Sequence, residues 1–323
     1  MTSFYYANEY VMRNTFSVLI YFLVGFVFFS CKPAVSQASL QKVPQLKERL
    51  VLAQWSFNRE LFKGEMSTFD FIRTAKEMDF VGVEYVNQFF MDHIEDSAYL
   101  DSLRTTAEEV GIKNTLLMID RAGNLGASKK ETREEAVANH KKWILAAKKM
   151  NCPNIRINAH GDGSREEIYS ACQKSILELS DFGQEHNVGI LIENHGSYSS
   201  DGNWLSELVK KVNRPNVASL ADFDNWCIER ENGELWGAPC IKEYDRYVGM
   251  KQLLPTAKSV SIKAFDFDKD GLPIKTDFKK MFELIFKSGY EGYLAVEFEG
   301  HEIDAKIGIQ KTKALAERFY ITN

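Results

Sequence analysis

The chain has 323 residues, 45% of them hydrophobic and 26% charged, with a formal net charge of −5. This is ordinary globular composition, sufficient for one large domain or two small ones. The acidic balance lacks the basic face that nucleic-acid binders carry, so no nucleic-acid partner is expected.

Residues 15–29 are almost wholly apolar, follow the lone Arg13, and end at Ser30-Cys31, where the sequence turns polar. A basic flank, an apolar run and a small residue before the cut predict a secretory signal over residues 1–30, with Met12 as a second candidate start. Cys31 at the junction resembles a bacterial lipoprotein signal, whose cysteine is lipidated after cleavage. The alternative is an uncleaved anchor, because the run is only slightly short of the roughly 20 residues a spanning helix needs. Both readings place the body outside the cytoplasm, touching the membrane only through its N-terminus. Residues 31–47, with Pro33 and Pro44, are expected to be a tether, and residues 48–323 a single catalytic domain.

Strand one is predicted at 50–54, followed by a helix from a Ser67/Thr68 cap with Phe69, Ile72, Ala75 and Lys76 at helical spacing. Strand two, 80–86, carries Glu84 and leads through Gln88-Phe89-Phe90 to a helix around 99–110. Strand three, 113–119, closes at Asp120 before a long helix, 129–150. Strand four, 154–158, precedes the loop His160-Gly161-Asp162-Gly163 and a helix over 166–185. The fifth strand, 188–193, is a short apolar run that stops at Glu193-Asn194-His195. Too short for a helix, it reads as a strand buried on both faces.

A helix over 204–212, a sixth strand ending at Asp222, a long loop rich in Trp, Cys and charge, and a helix over 244–257 follow. Strand seven is predicted at 259–263, a helix at about 277–288, strand eight at 293–298 and a last helix at 304–320. Eight strands alternating with eight helices predict an α/β fold, a (β/α)8 TIM barrel with its active-site mouth at the strand C-termini. Cys152, Cys172, Cys227 and Cys240 lack metal-binding spacing. A Cys227–Cys240 disulfide is compatible with an oxidising compartment, but spacing does not establish it, and buried thiols are the expected state.

Glu193, Asp222 and Glu297 end strands five, six and eight, so in a barrel their carboxylates converge. Hard oxygens so placed suit a divalent cation such as Mg or Mn. They also place two glutamates where one removes and the other returns a carbon-bound proton. Ile192-Glu193-Asn194-His195-Gly196, Ala221-Asp222-Phe223-Asp224-Asn225, Ser261-Ile262-Lys263, and the run from Gly289 to Gly300 together resemble the sugar phosphate isomerase/epimerase family. These are the xylose isomerase-like TIM barrels, which include ketose 3-epimerases and are related to endonuclease IV.

The resemblance runs from about Leu50 to Tyr320. It implies a divalent metal (Mn, Mg, Co or Zn) on Glu193, Asp222 and Glu297. The family commonly places a metal-binding His two residues before the lysine of strand seven; here Ser261 stands there, leaving His195 or water to complete the set, or no metal at all. Lys263 is expected to polarise a carbonyl or neutralise an enolate, or else only to pair with nearby acids.

The expected catalytic residues are thus Glu193, Glu297, Lys263 and His195, with Glu84, Asp120, Arg156, Asn158, His160, Asn225 and Glu299 contacting substrate. Trp55, Phe57, Phe89, Phe90 and Trp226 are either an apolar platform for a sugar face or loop core. The acidic turn from Asp266 to Gly271 lacks the closing Glu of a calcium loop. The expected activity is a sugar isomerase or epimerase acting on a small carbohydrate. A lyase acting on oxidised keto-glycosides and a non-catalytic carbohydrate-binding lipoprotein are the alternatives.

Overall fold

The structure, a computed structural model, describes residues 46–321. The predicted signal and nearly all of the tether lie outside these residues. Eight strands are parallel neighbours in a closed barrel: β1 (Leu50–Ala53), β2 (Gly82–Val86), β3 (Lys113–Met118), β4 (Asn154–Asn158), β5 (Gly189–Glu193), β6 (Val217–Asp222), β9 (Ala257–Ala264) and β10 (Tyr293–Phe298). The order around the barrel is β1-β10-β9-β6-β5-β4-β3-β2. Between β6 and β9, β7 (Cys227–Arg230) and β8 (Cys240–Glu243) form an antiparallel hairpin.

The helices are α1 (Asn58–Phe62), α2 (Thr68–Glu77), α3 (Ser97–Val110), α4 (Lys130–Lys149), α5 (Arg165–His186), α6 (Gly202–Val212), α7 (Arg246–Leu253), α8 (Phe278–Ser288) and α9 (Ala305–Ile321). Their starts are set by side chains that accept otherwise unpaired N–H groups. Ser67 with Asp70 and Ser164 with Glu167 form capping boxes on α2 and α5, and Asp96, Asp201, Asp245 and Asp277 cap α3, α6, α7 and α8. The helix predicted over 244–257 is shorter. Pro255 ends it in a 3-10 turn, Leu254–Thr256, and β9 begins at Ala257, two residues before the predicted start.

Strand alternation divides the barrel into two cores. Ile155 and Ile157 of β4, Ile190 and Ile192 of β5, Val260 and Ile262 of β9, and Leu294 and Val296 of β10 pack outward against the helices. Ala53, Val86, Leu116, Met118, Leu191, Ala218 and Leu220 fill the interior. Because both faces are buried, hydrophobic runs mark these strands, and the inward polar residues mark where the interior opens.

Candidate functional site

The inward positions at the C-terminal ends of β4, β5, β6, β9 and β10 are Arg156 and Asn158, Glu193, Asp222, Ser261 and Lys263, and Glu297. Arg156, Asn158, Glu193, Lys263 and Glu297 line a cavity of about 460 Å³ together with Asp120, His160, His195, Asn225 and Glu299. That volume suits a small molecule.

Arg156 organises one side. Its Nη1 donates to Asp120 Oδ1 at 2.7 Å, and its Nε lies 2.7 Å from Glu193 Oε2. Asn158 Nδ2 donates to the same Asp120 oxygen at 2.9 Å, and Gln88 Nε2 donates to Oδ2 at 3.1 Å. Burial opposes the charge on Asp120, but the charge and hydrogen bond of Arg156, with the hydrogen bond from Asn158, hold its carboxyl well below the usual range. Glu193 accepts from Asn225 Nδ2 at 3.1 Å. Burial is the main force on Glu193. Asp222 adds repulsion, and despite Arg156 its pKa is pushed up to about 7.

Lys263 organises the other side. Its Nζ lies 2.8 Å from Glu299 Oε1, 3.3 Å from Glu297 Oε1 and 3.6 Å from Asp222 Oδ2. Burial disfavours the ammonium, yet these acids hold its pKa well above the ordinary lysine value. Burial, then crowding by carboxylates, raises Glu297 despite Lys263. Desolvation opposes the charge on the half-buried Glu299, but the closer contact with Lys263 lowers its pKa.

Asp222 ties β6 to the loop above it. Its Oδ1 accepts the N–H groups of Asp224 and Asn225, each at 2.8 Å, while Asn194 bridges to its backbone. It is fully buried and is not among the residues lining the cavity. His160 Nε2 donates to the His195 carbonyl at 2.6 Å, which fixes its tautomer. Burial, then the charge of Arg156, keeps His195 neutral, and its Nδ1 has no hydrogen-bond partner.

Two expectations need correction. Glu84 is not at the mouth: β2 continues to Val86, so Glu84 sits a layer lower, 1% exposed, accepting from Ser259 Oγ at 2.9 Å. Cys227 and Cys240 form a disulfide rather than standing as buried thiols; Cys152 and Cys172 are free and buried.

Of the aromatic candidates, Trp55 lines the cavity and Phe89 packs on it at 5.9 Å. Phe57, Phe90 and Trp226 belong to the core. Trp226 is seated against Gly249 of α7, where even a Cβ would come within 2.0 Å of its ring.

Trp236, Leu235, Gln88, Arg121 and Asn124 also line the cavity and were not singled out from the sequence. Trp236 comes from the disulfide-closed hairpin and packs 4.4 Å from the His195 ring. Gly196 makes room for it: its φ is +87°, and a Cβ there would meet the indole at 3.1 Å. The cysteines flanking Trp236 were the available signal for this lobe.

Glu193, Asp222 and Glu297 stand near the C-terminal ends of β5, β6 and β10, but the donor set does not fit a divalent cation as arranged. Glu193 faces Arg156, Asp222 Oδ1 is held by backbone donors while its buried Oδ2 has no hydrogen-bond partner among the described residues and only Lys263 nearby at 3.6 Å, and Ser261 Oγ donates to Glu297 Oε2 at 3.0 Å. Lys263 stands among the acids. Among the described residues, no three His, Cys, Asp or Glu are placed to hold a metal ion.

A Mus musculus protein provisionally named hydroxypyruvate isomerase is 23% identical over 219 residues, 61% of this chain and 74% of its own length. The solved structure of 3-keto-D-glucoside 4-epimerase from E. coli has a TM-score of 0.63 at 15% identity, covering 84% of this chain and 99% of its own. A xylose isomerase-like TIM barrel protein from Mycobacterium smegmatis, solved in complex with magnesium, has a TM-score of 0.57 at 13% identity, covering 78% and 88%. At these identities the solved structures share the fold. A family model described as xylose isomerase-like TIM barrel matches residues 72–318. Because that match runs from α2 into α9, the chain belongs to the xylose isomerase-like TIM barrel family.

Proposed function

We propose that the chain is a carbohydrate isomerase or epimerase that moves a proton at a carbon next to a carbonyl. One observation carries this reading: Glu193 and Glu297 line the same cavity from β5 and β10, which are separated around the barrel by β6 and β9. Two carboxylates so placed address different faces of a bound carbon skeleton. Glu193 removes the proton, steadied by Arg156 and Asn225; Glu297 returns it. The Lys263 ammonium, beside Glu297, stabilises the negative charge that develops on the substrate oxygen. Asp120, Asn158 and His160 bind hydroxyl groups, and the indoles of Trp55 and Trp236 offer apolar surface to the sugar ring. The relatives named as a hydroxypyruvate isomerase and a keto-glucoside epimerase support the class.

The body acts outside the cytoplasm, tethered through Cys31, on free sugars, keto-sugars or glycosides; the Cys227–Cys240 disulfide supports an oxidising compartment. The test is proton NMR in D2O with a panel of ketoses and keto-glycosides. Deuterium entering the carbon next to the carbonyl is expected. Release of an aglycone with a new carbon–carbon double bond would identify elimination instead. Ligands that bind with neither exchange nor product would overturn the enzyme reading.

A further inference from the structure

The acidic end of the barrel carries its own cation. Ser261 lies in register with Asp222 on β6 and, through Oγ, reaches Glu297 on β10. It therefore occupies the place between two acids where the family resemblance puts an imidazole. Ser261 brings no imidazole there, and the Lys263 Nζ, almost fully buried, lies within 3.6 Å of Asp222, Glu297 and Glu299. Oxygen ligands bind small divalent ions at about 2.0–2.2 Å. An ion so held among these oxygens would meet the ammonium directly, with the Arg156 guanidinium on the far side of Glu193. Like charges at such separations in a desolvated site repel strongly.

We propose that the ammonium of Lys263 takes the place of the divalent metal, so that this chain holds its site together, and presents positive charge to the substrate, without a bound metal ion. This is a statement about binding and holds whichever carbohydrate is the substrate. The purified full chain is analysed for metal content, then titrated with Mn2+, Mg2+ and Zn2+ singly, following thermal unfolding and, for Mn2+, water-proton relaxation. The expected result is no stoichiometric metal, no shift in unfolding temperature and no relaxation change at the site. One tightly held ion per native chain, lost in Asp222→Asn, would overturn the proposal; this measurement decides it whether or not any variant folds. The converse uses Ser261→His combined with Lys263→Met, which restores the imidazole and removes the cation. That variant is expected to bind one Mn2+ per chain, or to fold only when Mn2+ is supplied. A folded double variant that binds no Mn2+ would show that Lys263 is not what fills the metal's place.

Discussion

The hairpin that carries Trp236 over the cavity is closed by the Cys227–Cys240 disulfide, whose cysteines are 13 residues apart. Replacing both cysteines with serine removes the cross-link without leaving a lone thiol. In the chain-entropy account, a loop of this size is worth about 3 kcal/mol to the closed form. Since 1.4 kcal/mol is a factor of ten, the hairpin should open roughly a hundredfold more often. What remains is modest: Arg230 donates to the carbonyls of Leu235 and Ala238 at 3.2 and 2.8 Å, and Glu231 N–H donates to Pro239 at 3.0 Å. The assay is amide hydrogen exchange across residues 228–239, with KM and kcat on a confirmed substrate. Protection is expected to fall by about two orders of magnitude. KM should rise towards that of Trp236→Ala while kcat changes little, because Glu193 and Glu297 sit on β5 and β10. Unchanged protection and KM would refute this reasoning and show that strand pairing and Arg230 suffice to hold the hairpin.

Glu193→Gln and Glu297→Gln keep shape but remove a proton acceptor, and each is expected to lower kcat by on the order of 10²-fold with the barrel intact by circular dichroism. Near-unchanged turnover in both would send the search for the base to His160 or His195. His140 of α4 is buried and bonds through Nδ1 to the Ala136 carbonyl at 2.7 Å; burial pushes its pKa down to about 4. Its folded pKa lies below the unfolded value of about 6.5, so the stability it contributes is complete above that value. It is lost as pH falls towards 4, by about 3 kcal/mol in all. Urea unfolding at pH 7.5 and 4.5 should show that loss in the native chain and a smaller one in His140→Gln. Cys31→Ala should release the protein from membranes, read by fractionation; continued integral association would identify an uncleaved helix.

The sequence determined the fold through local signals. Because parallel strands in a barrel are covered on both faces, β5 and β10 appear as short apolar runs, and the residues that break each run near its end, Glu193 and Glu297, are those at the mouth. The Ser67 cap set the start of α2 within one position. Strand alternation sets Arg156 and Asn158 on the same, inward face of β4, where both line the cavity.

What the tertiary structure alone decided depends on contacts between residues far apart in sequence. The depth of Glu84 follows from how far β2 runs past it and from its meeting with Ser259, 175 residues away; no local pattern encodes height along a barrel axis. The choice of partners for the two buried cations, Asp120 and Glu193 for Arg156 and three acids for Lys263, is likewise set by the register of neighbouring strands. The sequence marks Ser261 as a departure, but only the packing of β6, β9 and β10 sets the Lys263 ammonium among Asp222, Glu297 and Glu299. The same holds for the aromatic wall. Trp226 and Trp236 are only ten positions apart, yet one is seated against Gly249 of α7 and the other, in the hairpin closed by the disulfide, packs over Gly196 at the cavity.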